Sequence, residues 1–369
     1  MMPRVLVAGA GPTGALCAHI LRRELQQKIQ IDVCDKSNGT GGRMSTSRDP
    51  GNADCTADLG AQYITVTPEY AQTHKRYHSE LLQAGVFQIY TGGIEGIKSS
   101  RNPPGTNNYV TPQGISSIVK YFLKTSEADN VEFDHRLTSL DLLEKGSEAP
   151  LEVKFDQLSP TDPSGQSTTH PKYDAVILTM PVPQVLQLKG LVAEKLDQTP
   201  SIKSSLEKVQ YSSRYALALF YPPGVTLDLP WKAKYEQEDE CIRFISVDSK
   251  KRGNESACTA LVVHTSVPFG IKYLETAKEE VEPLILNHLD KLVPNLPAPV
   301  RTKCQRWRYS QVSTPLEGSP GTLVLDEGPS HVLLVAGDGM SHSNLDGCID
   351  SAEATCKRLI EHWKKTCHL

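Results

Sequence analysis

Val5, Leu6, Val7 and Ala8 form an unbroken apolar run, closed on one side by Arg4 and on the other by Gly9. A short apolar run between punctuating residues fits a strand buried on both faces, as in parallel sheets. Past the turn, Leu16, Cys17, Ile20 and Leu21 recur at steps of three and four, so the period changes from strand to helix. Ile29 to Cys34 supplies a second apolar strand. The same signal returns far along the chain, in the run that begins at Tyr173 and ends before Pro181, and again from His331 to Ala336. Helical spacing through Ala352, Cys356, Leu359 and Ile360 follows the last of these. Strands of this kind alternating with helices predict an α/β domain whose pieces are scattered along the sequence.

Between those pieces the pattern is weaker. Pro68 to Ala84 has helical periodicity with several charges and predicts one surface helix. Gly92 to Asn108 is rich in Gly, Ser, Pro and Asn and predicts a loop crossing between domains. Pro112-Gln113-Gly114 followed by Ile115, Ile118, Val119 and Phe122 predicts a turn opening an amphipathic helix. Val131–Phe133, Leu137–Leu142 and Leu151–Phe155 predict a small meander, and Gln157 to Lys172 a polar hairpin tip. From about 184 to 325 strand-like segments (Tyr215–Tyr221, Ile242–Val247, Ala260–Val267, Cys304–Val312) surround one helix, Leu274–Leu292. The expected division is 1–66, 108–182 and 328–369 for a nucleotide-binding domain, with 67–107 and 183–327 forming a mixed-sheet α+β substrate domain.

The punctuation between the first strand and helix carries chemistry. Gly9, Gly11 and Gly14 stand as G-x-G-x-x-G. The first allows the tight turn, the second lets a pyrophosphate approach the backbone, and the third lets helix and strand pack closely. The helix start then favours negative charge, with Thr13 in its first turn. Asp35 ends the second strand at the spacing expected of an acid that binds a ribose. Gly41-Gly42-Arg43 beyond it gives a loop with close backbone approach and a guanidinium suited to phosphate. Gln62 and Tyr63 open a strand, where either a bound ring or a half-buried sheet face would suit them. Gly337-Asp338-Gly339 places a carboxylate just before the last helix. His264 sits mid-strand between apolar neighbours, either a satisfied core side chain or a group in a site.

Composition removes some functions. The chain has 369 residues, and the formal net charge of −4 gives no basic surface for nucleic acid or anionic membrane. No apolar stretch is long enough to span a bilayer. A cleavable leader would destroy the glycine turn, so none is expected. The nine cysteines include no C-x-x-C pair, from which reduced thiols and no metal site are expected.

Read together, V-L-V-A-G-A-G-P-T-G, G-G-R-M-S-T, C-T-A-D-L-G-A-Q-Y-I-T, P-Q-G-I-S-S-I, L-T-M-P-V-P, Y-S-S-R-Y-A-L, V-V-H-T-S-V-P-F-G, C-Q-R-W-R-Y-S-Q-V and G-D-G-M-S-H-S-N-L-D-G-C-I resemble the two-dinucleotide-binding-fold flavoproteins, most closely the renalase family. The resemblance runs nearly end to end. It implies a Rossmann-like domain of the p-hydroxybenzoate hydroxylase type holding FAD non-covalently, with a substrate domain inserted. It implies oxidation of isomeric dihydro-NAD(P), reduced at C2 or C6, with hydrogen peroxide formed from O2. It places cofactor contacts on Gly9, Gly11, Thr13, Gly14, Asp35, Gly42, Arg43, Gln62, Tyr63 and Asp338. His264, Tyr63, Tyr215 and Trp307 become candidates for shaping the substrate face, none of them an indispensable acid or base. It also implies a protein found outside cells, while FAD loading and the odd thiols suit the cytosol as the alternative; an extracellular partner would use surface residues that no motif identifies. Amine oxidases share the fold, but one aromatic wall of their site comes from the C-terminal segment, and Thr322 to His362 contains no Phe, Tyr or Trp. Cys348 follows Gly347 at a helix opening, which argues for packing over a covalent flavin link.

Overall fold

The apolar runs of the sequence collect into one sheet in the computed structural model, which describes residues 2–98, 102–143, 149–157, 171–253 and 258–366. Its strand order is Leu323–Gly328, His331–Val335, Ala175–Leu178, Arg4–Ala8, Gln30–Cys34, Asn130–Glu132. Neighbours are parallel from His331–Val335 onward, with Val5 opposite both Ala175 and Ile31, and Ala175 opposite Val332. Only Leu323–Gly328 runs antiparallel, at the edge. Val5, Val7, Ile31, Val176 and Leu333 are fully buried. Each such side chain contributes roughly 1.5–3 kcal/mol of burial, so this sheet is the core of its unit. Pro12–Leu25, begun by a proline at its first position, packs against the long C-terminal helix Leu345–Lys365. Cys356 donates its thiol to the Cys17 carbonyl between them at 3.5 Å. Asn344 caps the long helix by accepting from the Gly347 N–H at 2.6 Å. A second sheet, with strands Lys172–Tyr173, Leu151–Gln157, His135–Leu142 and Lys189–Gly190 in that order, completes this unit.

The other unit is built on a six-stranded sheet ordered Arg301–Thr314, Gln210–Phe220, Ala260–Thr265, Ile242–Val247, Ala233–Tyr235, Ile94–Glu95. Alternation along its strands gives two faces. Tyr215, Leu217, Leu219 and Tyr221 point to one, where Ile285 and Leu289 of the helix Lys278–Leu292 cover them. Ala216, Ala218 and Phe220 point to the other, against Cys55, Ala57, Leu59 and Trp307.

The units divide as 1–42, 119–210 and 312–369 against 43–118 and 211–311. Residues 43–66 therefore fall with the mixed sheet, because Cys55, Ala57 and Leu59 find their apolar partners there. Residues 183–210 fall with the parallel sheet instead, since the helix Leu191–Gln198 packs on His135–Leu142 and Leu323–Gly328. Three local expectations change as well. Pro68 to Ala84 is two helices, Pro68–Thr73 and Lys75–Gln83, because the buried His74 leaves helical dihedrals (φ −106°, ψ 24°). The strand expected at 131–133 joins the edge of the parallel sheet, beside Gln30–Cys34, and not the meander. Ile94–Glu95 is a sheet strand inside the stretch read as a loop. The polar tip expected at 157–172 lies mostly outside the described residues.

The cysteines also differ from expectation. Cys55 and Cys258 form a disulfide, while Cys17, Cys34, Cys241, Cys304, Cys348 and Cys356 are not disulfide-bonded. The two partners lie 203 residues apart, and the packing of Asn52–Asp58 against the sheet face that carries Ala260–Thr265 brings them together. Among the described residues, no helix is long and apolar enough to cross a membrane, and no cluster suits a metal ion.

Candidate functional site

In the parallel-sheet unit the glycine turn is closed on two sides and open on the third. Gly9 has φ +122°, which favours glycine, and donates its N–H to the Cys34 carbonyl at 2.7 Å. A Cβ on Gly14 would lie 1.9 Å from the Gly9 carbonyl oxygen, so turn and helix touch there. A Cβ on Gly11 would meet no protein atom within 4 Å. The one glycine that a pyrophosphate would contact is thus the one that faces open space. The helix behind it has no side-chain cap, and the buried Thr13 sits in its first turn. Its leading N–H groups and dipole remain available to an anion. Gly42 comes against the turn, its Cβ position 3.5 Å from Gly11 Cα, and the Gly41 N–H donates to the Ala10 carbonyl at 2.9 Å.

Asp35 is held from below. Its Oδ2 accepts from the Ala10 N–H and its Oδ1 from the Ser37 N–H, each at 2.8 Å. Carboxylate oxygens carry further lone pairs, so the group is oriented with capacity to accept ribose hydroxyls. Asp338, buried, follows Gly337 (φ +123°) in a 3-10 turn and accepts from the Ser343 hydroxyl at 3.3 Å. Cys348 is a buried residue of the last helix.

In the mixed-sheet unit, Arg43 is half-buried with its guanidinium 5.9 Å from the Tyr211 ring centroid. Its carbonyl accepts from the Ala61 N–H at 3.1 Å, and a Cβ on Gly60 would strike that carbonyl. Gln62 follows in a buried polar cluster. Its Oε1 accepts from Lys251 Nζ at 2.9 Å and from the Ser246 hydroxyl at 3.1 Å. Its Nε2 donates to the carbonyls of Asp58 and Gly60, and lies 3.2 Å from His264 Nε2.

Beneath Gln62 lie four buried charges. Asp248 pairs with Lys251 and with Arg252, each at 2.7 Å. Burial opposes the charge of Asp248, but Lys251 and Arg252 outweigh it and hold its carboxyl below the usual range. Burial, and then the charge of Asp248, push Asp58 up. Asp58 accepts from the Thr46 hydroxyl at 2.7 Å and the Ile115 N–H at 2.9 Å. His264 keeps part of its surface open, yet burial foremost, with Arg214 and Lys251 adding to it, lowers its pKa to about 3. The ring is neutral at physiological pH.

Sheet register sorts the substrate-face candidates. His264 lies opposite Ala216 on one side and Phe244 on the other, so all three share a face. Phe244 and His264 meet edge to face at 6.0 Å, and Phe244 and Tyr235 at 5.0 Å. Tyr63 shares a 2.7 Å hydroxyl contact with Tyr235. Trp307 is on the Ala216 face too, its Nε1 donating to the Leu59 carbonyl at 2.8 Å. Tyr215 does not belong with them. One residue from Ala216, it points to the helix-covered face, fully buried, and donates its hydroxyl to the Tyr273 carbonyl at 2.7 Å. Nothing in the sequence assigned a role to Asp248, Lys251, Ser246, Phe244 or Tyr235, although S-x-D-x-K-K-R (246–252) and C-I-R-F (241–244) are among the stretches that carry the family resemblance. The first two stand at helical i, i+3 spacing, a signal a charge-pair search would find; the others carry none.

The turn, the oriented acid and the uncapped helix fit one half of a dinucleotide cofactor. Comparisons with known proteins agree. Residues 68–360 match the family described as flavin containing amine oxidoreductase, and residues 7–81 the NAD(P)-binding Rossmann-like domain. The crystal structure of an Exiguobacterium sp. 255-15 protein described as a protoporphyrinogen oxidase aligns with a TM-score of 0.67, covering 97% of this chain and 99% of that one. At 13% identity that likeness speaks for the fold alone. Renalase from Mus musculus is 42% identical over 360 residues, covering 97% of this chain and 99% of its own. With that identity along nearly its whole length, the chain belongs to the renalase family of flavin oxidoreductases.

Proposed function

We propose that this protein is an FAD-dependent oxidase of isomeric dihydro-NAD(P), forming NAD(P)+ and hydrogen peroxide. When bound, FAD supplies the acceptor for the substrate hydride and the route by which its electrons reach O2. The residues that would hold it are Gly9, Gly11, Thr13 and Gly14 at the pyrophosphate, Asp35 at a ribose, Gly42 and Arg43 at a phosphate, and Asp338 at a ribityl or pyrophosphate group.

The observation that carries the substrate class is the make-up of the His264 face. Tyr63, Tyr235, Phe244, His264 and Trp307 offer aromatic surface and a neutral imidazole, with no ionised acid or base among them. Hydride transfer from a dihydropyridine asks for a flat apolar surface and the exclusion of water more than for proton transfer. A dinucleotide hydride donor suits that composition. The runner-up is a flavin amine oxidase, favoured by the family match over 68–360. A third reading is an FAD-holding extracellular signalling protein. An extracellular location is part of the proposal, supported by the Cys55–Cys258 disulfide, which persists in oxidising compartments.

The test is anaerobic mixing of the yellow holoprotein with 2- or 6-dihydro-NAD(P). The expected outcome is rapid loss of the flavin visible absorbance, with peroxide appearing once air is admitted. An oxidised flavin after mixing with either isomer would end the proposal.

A further inference from the structure

An amide side chain has two ends alike in shape and opposite in chemistry. Gln62 is gripped at both. The ammonium of Lys251, 2.9 Å from Oε1, has only donors to offer, so an oxygen must face it. The carbonyls of Asp58 and Gly60 at the other end only accept, so the NH2 must face them. Both ends fix the same orientation, in which the donor-only NH2 faces His264 Nε2 3.2 Å away, its two protons shared among the Asp58 and Gly60 carbonyls and the ring. A ring nitrogen facing a donor must carry a lone pair. Since a neutral imidazole has one N–H, that proton belongs on Nδ1.

Lys251 is itself fixed. It is buried, paired at 2.7 Å with Asp248, and Asp248 is anchored again by Arg252. We infer that Lys251 is a positioning residue: through the Gln62 amide, its buried ammonium sets His264 in the tautomer with the proton on Nδ1. The lowered pKa of His264 keeps the ring in its neutral form, where tautomers have meaning. Among the described residues, Nδ1 makes no bond to the protein, so the ring presents a donor rather than an acceptor to whatever meets it. The matching ligand group is an acceptor oxygen, such as the carboxamide of a nicotinamide ring. That use rests on the proposed substrate, whereas the tautomer itself does not.

The test reads the tautomer directly, in substrate-free holoprotein. Two-bond 1H–15N correlation spectra of histidine-labelled protein at pH 7 distinguish protonated from unprotonated ring nitrogens, and His264→Asn identifies the His264 signals by their loss. The wild type is expected to show protonated Nδ1 and unprotonated Nε2. In Lys251→Met the amide loses one of its two grips and is held only by the Asp58 and Gly60 carbonyls, so the pure Nδ1–H signature is expected to be diluted by the other tautomer. Lys251→Gln replaces the donor-only group with one that can present either end, and serves if the methionine variant does not fold. In Gln62→Glu a carboxylate oxygen faces the ring, so Nε2 is expected to gain a proton. A wild-type ring protonated on Nε2, or an Nδ1–H signature unchanged in the folded Lys251 variant, overturns the inference. Failure of dihydro-NAD(P) to reduce the flavin would leave these spectra unaltered, so the two failures are distinguishable.

Discussion

Alanine at two neighbouring glycines separates packing from ligand contact. Gly14→Ala forces a methyl to within 1.9 Å of the Gly9 carbonyl, and backbone cannot rotate away as a side chain would. We expect a cost of about 1–3 kcal/mol, seen as a lower melting temperature even without flavin. Gly11→Ala meets no protein atom within 4 Å and its φ of −86° suits any residue. There the apoprotein should melt as the wild type does while flavin affinity falls; equal affinity would remove Gly11 from the site. Arg43→Ala should weaken FAD roughly 10- to 150-fold, the value of a charge-assisted bond of about 1.5–3 kcal/mol, measured by equilibrium titration of apoprotein. The glycines and Asp35 were legible in the sequence because a turn and its flanking strand are local matters. Tyr215 was not, since a single register step decides which face a strand residue takes. His264 offers a pH test. Its folded pKa is about 3 against an unfolded value of about 6.5, so the unfolded chain takes up the proton first as pH falls. Stability from this group is intact above pH 6.5 and declines from there toward pH 3. Denaturant melts at pH 7.5 and pH 5 should show a larger drop for the wild type than for His264→Asn.

Among the elements, the strand Asn52–Asp58 is tied down twice, by chemistry the apolar pattern does not show. Cys55 binds it covalently to Cys258, and Asp58 three residues on enters the buried cluster with Asp248, Lys251 and Arg252. A bridge across 203 residues constrains the unfolded chain strongly, so Cys55→Ser with Cys258→Ser should cost about 2–4 kcal/mol, read by thermal unfolding. Peptide mass mapping without reductant should recover Cys55 and Cys258 as one linked species; two free thiols there would refute the bridge. Asp248→Asn leaves Lys251 and Arg252 buried without their shared partner, and a loss of about 3–5 kcal/mol is expected. Strands such as Val5–Ala8 and His331–Val335 were readable because buried runs advertise themselves. The disulfide, the edge pairing of Asn130–Glu132 and the break at His74 were not, because each depends on contacts distant in sequence or on one inward-turned side chain. The odd cysteine count pointed toward free thiols when the deciding fact was which strands become neighbours.

For the molecule as a whole, the open choice is between two kinds of electron donor, because the family description covers amine oxidation while the proposed substrates are isomeric dihydro-NAD(P). An amine site of the usual kind needs aromatic walls, one of them from the C-terminal flavin-binding segment. Here that segment, Thr322 to His362, supplies none, and the first aromatic beyond it, Trp363, is fully buried in the last helix. The aromatic groups cluster on one face of the mixed sheet instead, with His264 among them. A flat nicotinamide would gain stacking from a single such face, whereas an aliphatic amine caged on one side only would lose much of its alignment. Anaerobic stopped-flow with catecholamines and with 2- and 6-dihydro-NAD(P) on the same holoprotein decides the matter. Only the dinucleotides are expected to bleach the flavin, and peroxide should then match the substrate consumed mole for mole on aeration. Bleaching by an amine, with the dinucleotides inert, would make the protein an amine oxidase whose second wall comes from residues outside the C-terminal segment. A holoprotein reduced by neither would leave it a flavin-holding protein with a binding role.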